Sequence, residues 1–150
     1  MTLRPARLLE AGRIALLRGD TQAARRAFIA CAEAGEADAA LPAAVMLLRG
    51  EGGAADPESG LRWLQVAADC GAEGAALLLG RIELATVGRM DEGIRWLRVA
   101  ADAGEDAALH LLALAAQHGA GAKRGGAFRK TRFDARCSTL LPPARRQDHA

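Results

Sequence analysis

A chain of 150 residues is long enough for one ordinary domain with a continuous core, and short for a multi-domain enzyme. About a quarter of the residues are alanine, tyrosine is absent and aromatic residues make up 3%, so any core must consist of closely apposed helices with few large side chains. The net charge of +2 conceals an asymmetry: residues 121–150 carry eight Lys or Arg against Asp134 and Asp148, a net of +6 that leaves −4 on residues 1–120.

The first 17 residues, MTLRPARLLEAGRIALL, are interrupted by Arg4, Arg7, Glu10 and Arg13, which argues against a secretory signal and for an amphipathic helix over 4–18. No run approaches the ~20 apolar residues of a membrane helix, and a cytoplasmic protein is expected. Asp20 followed by Thr21 is a helix N-cap signal and opens a helix over 21–34. A helix over 37–49 runs into Gly50-Glu51-Gly52-Gly53. That run has no preceding strand and no following Gly-Lys-Ser/Thr, so it reads as a helix-to-helix turn and not a phosphate loop. Asp56 and Pro57 open the next helix, 57–70, with proline at the first helical position where its missing N–H costs nothing. Helices over 73–86, 90–103 and 106–118 follow. Gly35, Gly71 and Gly104 each stand where a left-handed residue is needed to stop a helix. Seven helices of about 13 residues make three antiparallel pairs and one extra.

The pairs repeat. SGLRWLQVAADCGAEGA at 59–75 returns as EGIRWLRVAADAGEDAA at 92–108, a spacing of 33, and a weaker copy at 20–40 precedes the 56–76 segment by 36. The two spacings differ by one short loop. Trp63 and Trp96 occupy the same place in successive copies, flanked by Leu61, Leu64, Ala67 and Ala68 and by Ile94, Leu97, Ala100 and Ala101 at helical spacing. This placement makes them core residues between repeats.

From Gly35 one unit supplies Ala39, Leu47, the Gly50-Glu51-Gly52 turn, Asp56, Trp63, Ala67, Ala68 and Gly71, and from Gly71 the next supplies Ala75, Leu79 and Gly80. These residues resemble the Sel-one-like repeat, a relative of the tetratricopeptide repeat, over residues 20–118 and plausibly back to residue 4. Departures are Ala43-Ala44 in place of the Leu-Gly pair, Glu83 where the family prefers tyrosine, Ala27-Phe28 in place of Trp-Leu, and only Gly88 for the Gly-x-Gly loop in the copy from Gly71. The helix over 4–18 aligns in two registers one residue apart. The resemblance implies a right-handed α-solenoid of antiparallel helix pairs over 1–120, followed by a basic tail over 121–150 expected to be disordered.

The resemblance also implies that the first helix of each pair lines a concave groove that binds a peptide or protein segment, as an adaptor or scaffold would. Residues three, seven, ten and fourteen after each reference glycine share one helical face, away from packing positions four, eight and twelve. They are Asp38, Pro42, Val45 and Arg49, then Gly74, Leu78, Arg81 and Ala85, then Ala107, Leu111, Leu114 and His118.

Catalytic and cofactor readings are weak in this sequence. His110 and His118 are eight apart, not the three or four that would let one helix present two metal ligands, so no metal or cofactor is expected. Glu73, Asp91, Glu92, Glu105 and Asp106 stand beside helix starts, where negative charge is favoured by about 0.3–1 kcal/mol, and are assigned to capping. Cys31, Cys70 and Cys137 have unrelated spacings and read as reduced structural thiols. Arg62 and Arg95, each preceding a tryptophan, read as partly stacked surface residues. Two alternatives remain open. The tail, with Phe128 and Phe133 among its charges, could bind nucleic acid or another anionic surface in a salt-sensitive way. A β-lactam-related hydrolase, as in some Sel-one-like proteins, is disfavoured by unpaired cysteines and by a serine supply limited to Ser59 and Ser138.

Overall fold

The computed structural model describes residues 4–118. The protein is all-α, with no strand among the described residues. Its helices are α1 (Pro5–Leu17), α2 (Thr21–Glu33), α3 (Ala40–Arg49), α4 (Pro57–Asp69), α5 (Ala75–Ala85), α6 (Met90–Asp102) and α7 (Asp106–Gln117), and a 3-10 turn, Ala37–Ala39, leads into α3. The helix expected over 37–49 is therefore a 3-10 turn followed by an α-helix. The helix expected from residue 73 starts at 75, because Gly74 takes a left-handed φ of 78° at its N-cap. The tail over 121–150 expected to be disordered, its boundary with the repeats and Cys137 lie outside the described residues.

Helix ends follow the predicted punctuation. The Asp20 carboxylate accepts the Ala23 N–H at 2.9 Å and Asp56 accepts that of Ser59 at 3.1 Å, with Pro57 opening α4. At the other end, α1, α2, α4 and α6 stop in one motif, in which the residue after a left-handed glycine donates its N–H five residues back. The bonds are Asp20 to Ala15, Glu36 to Cys31, Ala72 to Ala67 and Glu105 to Ala100, at 2.9–3.2 Å. Orphan carbonyls are thus satisfied without side chains.

Helix α5 ends differently, and that explains the two repeat spacings. Between α3 and α4 the chain uses residues 50–56, while between α5 and α6 it uses only residues 86–89, three fewer. In the longer loop Gly52 presses on the start of α2, and a Cβ there would lie 2.3 Å from the Thr21 carbonyl oxygen. The shorter loop is held by Thr86, whose hydroxyl donates to the Ile82 carbonyl at 2.9 Å, and by Arg89, whose Nε meets the Glu83 carboxylate at 2.9 Å. Glu83 is the one charged residue buried among those described, at the position where α3 has Leu47.

Packing is most extensive within α1–α2, α3–α4 and α5–α6, and next most extensive between α6 and α7, α4 and α5, and α2 and α3. Inside each pair a large side chain sits on a small residue. A Cβ added at Gly12 would lie 2.8 Å from Phe28, one at Gly60 2.8 Å from Leu48, and one at Gly80 2.9 Å from Leu97. The small residues let the backbones approach, as an alanine-rich composition with few aromatics requires. Because Gly12 under Phe28 matches Gly80 under Leu97, the structure selects one of the two registers for α1. A single core runs from Ala24 and Phe28 to Ala108 and includes Trp63 and Trp96, 8% and 7% exposed.

Candidate functional site

The twelve positions expected to face a groove lie on the 3-10 turn, on α3, α5 and α7 and at their caps, and are open to different degrees. Asp38, Arg49, Arg81, Ala85, Ala107, Leu114 and His118 are exposed, and Pro42, Val45, Gly74, Leu78 and Leu111 are half-buried. The alternate positions on the same elements are closed: Ala39, Ala43 and Leu47, then Ala75, Leu79 and Glu83, then Ala108, are all buried. The pattern weakens at the end of α7, where Leu112 is half-buried and Ala116 exposed. His118 itself is the C-cap of α7, one residue beyond the helix expected to contain it.

Each helix holds three of its four positions, Pro42, Val45 and Arg49 on α3, Leu78, Arg81 and Ala85 on α5, and Ala107, Leu111 and Leu114 on α7, at spacings that keep them on one face. Helices α3, α5 and α7 pack chiefly through the helices between them, α4 joining α3 to α5 and α6 joining α5 to α7, so the candidate residues form three separate rows. Arg49 is the one basic residue of these rows with a recorded ion pair, to Glu51 at 3.4 Å, exposed on both sides and worth little in water. The register of α1 adds a fourth row that the sequence left undecided: Ala6, Glu10, Arg13 and Leu17, all exposed. Arg13 thereby stands at the position of Val45 and Arg81.

Of the carboxylates expected beside helix starts, Asp91 and Glu92 lie in the first turn of α6 and Asp106 in that of α7, but Glu105 is engaged elsewhere. The Glu105 carboxylate makes no cap bond to α7 and instead accepts the Gly74 N–H, at 3.2 Å, tying the α6–α7 turn to the start of α5. Glu73 precedes α5 and is exposed, with no cap bond from a side chain at that helix start. Glu92 does lie in the first turn of α6 and is bonded by Arg95, whose guanidinium holds its carboxyl below the usual range. Arg62 donates to the Ser59 hydroxyl at 3.1 Å, so Arg62 and Arg95 are both exposed residues engaged along their own helices.

A cleft of about 280 Å³ lies beside the Glu105–Gly74 tie, lined mostly by alanine and glycine with Val99, and with Glu73 and Glu105 as its charged residues. No group of three or more potential metal ligands occurs among the described residues, and His110 and His118 are both exposed. Cys31 and Cys70 are both buried. The Cys31 Sγ donates to the Pro5 carbonyl at 3.2 Å, and burial raises its pKa, so it is held as an unreactive thiol.

Neither a scan against models of protein families nor a search of curated proteins finds a match to this chain.

Proposed function

We propose that this protein is a non-catalytic interaction module, a right-handed α-solenoid of the Sel-one-like kind whose α1, α3, α5 and α7 line a groove for a peptide or protein segment. The observation that carries the reading is the alternation along α3 and α5. Offsets three, seven, ten and fourteen stay open or half-open, while offsets four, eight and twelve between them are buried. Repetition of one open face in successive units is how a repeat array builds an extended binding surface.

The surface is mixed. Arg13, Arg49 and Arg81 supply positive charge between Val45, Leu78 and Leu114. An amphipathic or mildly acidic segment fits that composition, and a preformed helical wall lowers the ordering cost of binding it. Affinity purification from native cells tests the reading when the parent and two double variants are run in parallel. Arg49→Glu with Arg81→Glu is expected to abolish partner capture with an unchanged circular dichroism spectrum, and Arg62→Glu with Arg95→Glu to leave capture intact. The reverse result moves the site to the outer face.

A further inference from the structure

Along the line of offset-ten positions the candidate groove changes character at every repeat. Arg13 on α1 is followed by Val45 on α3, Arg81 on α5 and Leu114 on α7, so cationic and apolar side chains alternate. Arg13 belongs to this line because α1 takes the register that seats Phe28 over Gly12. Both arginines are exposed, and among the described residues neither forms an ion pair. The neighbouring line at offset fourteen runs Leu17, Arg49, Ala85 and His118, in the opposite phase. There Arg49 already meets Glu51 at 3.4 Å and Ala85 offers little apolar surface. The offset-ten line is therefore the one whose arginines stand ready for a ligand.

Arg81 is the stronger anchor of the two. One turn away on α5 stand Leu77, Leu78, Leu84 and Ala85, so no carboxylate on its own helix face competes for the guanidinium. Glu83, two residues on, is buried and engaged by Arg89. On α1, by contrast, Glu10 lies one turn before Arg13 on the same open face, and its charge opposes an acidic ligand there.

A segment that crosses the repeats meets these residues at a fixed step. With α1, α3, α5 and α7 side by side along the groove, successive positions lie about one helix diameter, ~10 Å, apart. A polyproline-II segment has three residues per turn and rises ~3.1 Å per residue, so its like-facing side chains recur every ~9 Å. A β-strand does not match, because residues three apart point to opposite faces. Resting on the groove reading above, we infer that the groove takes a polyproline-II segment in which acidic and large apolar residues alternate at every third position. Its acidic residues meet Arg13 and Arg81, and the apolar residues between them meet Val45 and Leu114. Such a segment needs no strand-like hydrogen bonds from helices whose own backbone groups are already bonded, and its preformed shape keeps the ordering cost low.

Fluorescence anisotropy with a labelled peptide, Glu-Pro-Pro-Leu-Pro-Pro written twice, tests this against a peptide of the same composition whose Glu residues are adjacent and whose Leu residues are adjacent. The patterned peptide is expected to bind at least ~10-fold tighter, since the rearranged one forfeits a charge pair and an apolar contact together. Arg81→Gln should weaken it about fivefold and Arg13→Gln less, with unchanged circular dichroism spectra. Neither variant should alter the binding of an analogue with Gln in place of both Glu. Equal binding of the two peptides, both weakened by Arg81→Gln, overturns the spacing and leaves the groove reading standing. Binding that ignores Arg13→Gln and Arg81→Gln overturns the inference, and the groove reading with it where Arg62→Glu with Arg95→Glu abolishes that binding. A patterned peptide that does not bind at all overturns the inference.

Discussion

Trp63 and Trp96 are the two largest side chains of the buried core, and few other aromatics are present to replace them. Truncating either to alanine removes a buried aromatic from a closely packed core and leaves a cavity there. Each variant is expected to lose about 3–5 kcal/mol in urea titration. Two variants that melted like the parent would place both rings at the surface. Asp56 offers a test by pH. Its bonds from the Ser59 side chain and backbone N–H hold its carboxyl below the usual aspartate range, and Arg62 and Arg25 act in the same direction. A depressed folded pKa means stability that is present above the unfolded value of ~3.9 and lost as pH falls through the folded one. Asp56→Ala should therefore melt below the parent at pH 7, and the gap should narrow on acidification below about pH 4. A gap of constant size would mean that the cap acts without its charge.

At the scale of the elements, the helix ends were legible in the sequence and the contacts between helices were not. Asp20, Asp56, Gly35, Gly71 and Gly104 act through bonds to their own neighbours, so local pattern was enough to place the boundaries within two residues or so. Proximity in sequence points Glu105 to its own helix, whereas its carboxylate reaches Gly74, 31 residues away. Likewise, Glu83 and Arg89 meet only because the loop between α5 and α6 is short. The register of α1 depends on which residue lies under Phe28, a fact of packing that a single helix does not encode. The groove rows were legible as faces, since 3.6-residue periodicity fixes them, but the arrangement of one row beside the next depends on angles between pairs. Close approach itself can be tested at Gly93, where a Cβ would lie 2.7 Å from the Leu84 amide nitrogen and 3.0 Å from the Gly80 carbonyl oxygen. These are backbone atoms that cannot rotate away. Gly93→Val should cost at least the ~1–3 kcal/mol of an overpacked core, read by denaturant midpoint. Wild-type stability in that variant would show that α5 and α6 separate freely.

For the molecule as a whole, the distribution of buried bulk sets the order in which it opens. Phe28, Leu64, Leu79 and Leu97, the largest wholly buried side chains, belong to α2, α4, α5 and α6. Among fully buried positions α1 contributes only Gly12 and α7 only Ala108. Helices that contact chiefly their chain neighbours gain no support from distant parts of the fold, so stability should decline toward both ends. Native-state hydrogen exchange is expected to show the slowest amides in α4 through α6, with α1 and α7 opening at lower free energy. The same variants used for the core sharpen the test. Trp96→Ala should speed exchange in α5 and α7 before α2 feels it, and Trp63→Ala should act first on α3 and α5. Uniform exchange across all seven helices would mean a single cooperative unit and would remove the basis for treating the fold as a linear array. The expected gradient bears on binding too. Val45, Arg49, Leu78 and Arg81 lie on the better-supported inner helices, so a segment held there meets a fixed surface, while Arg13 and Leu114 lie on end helices that a ligand could steady by occupying them.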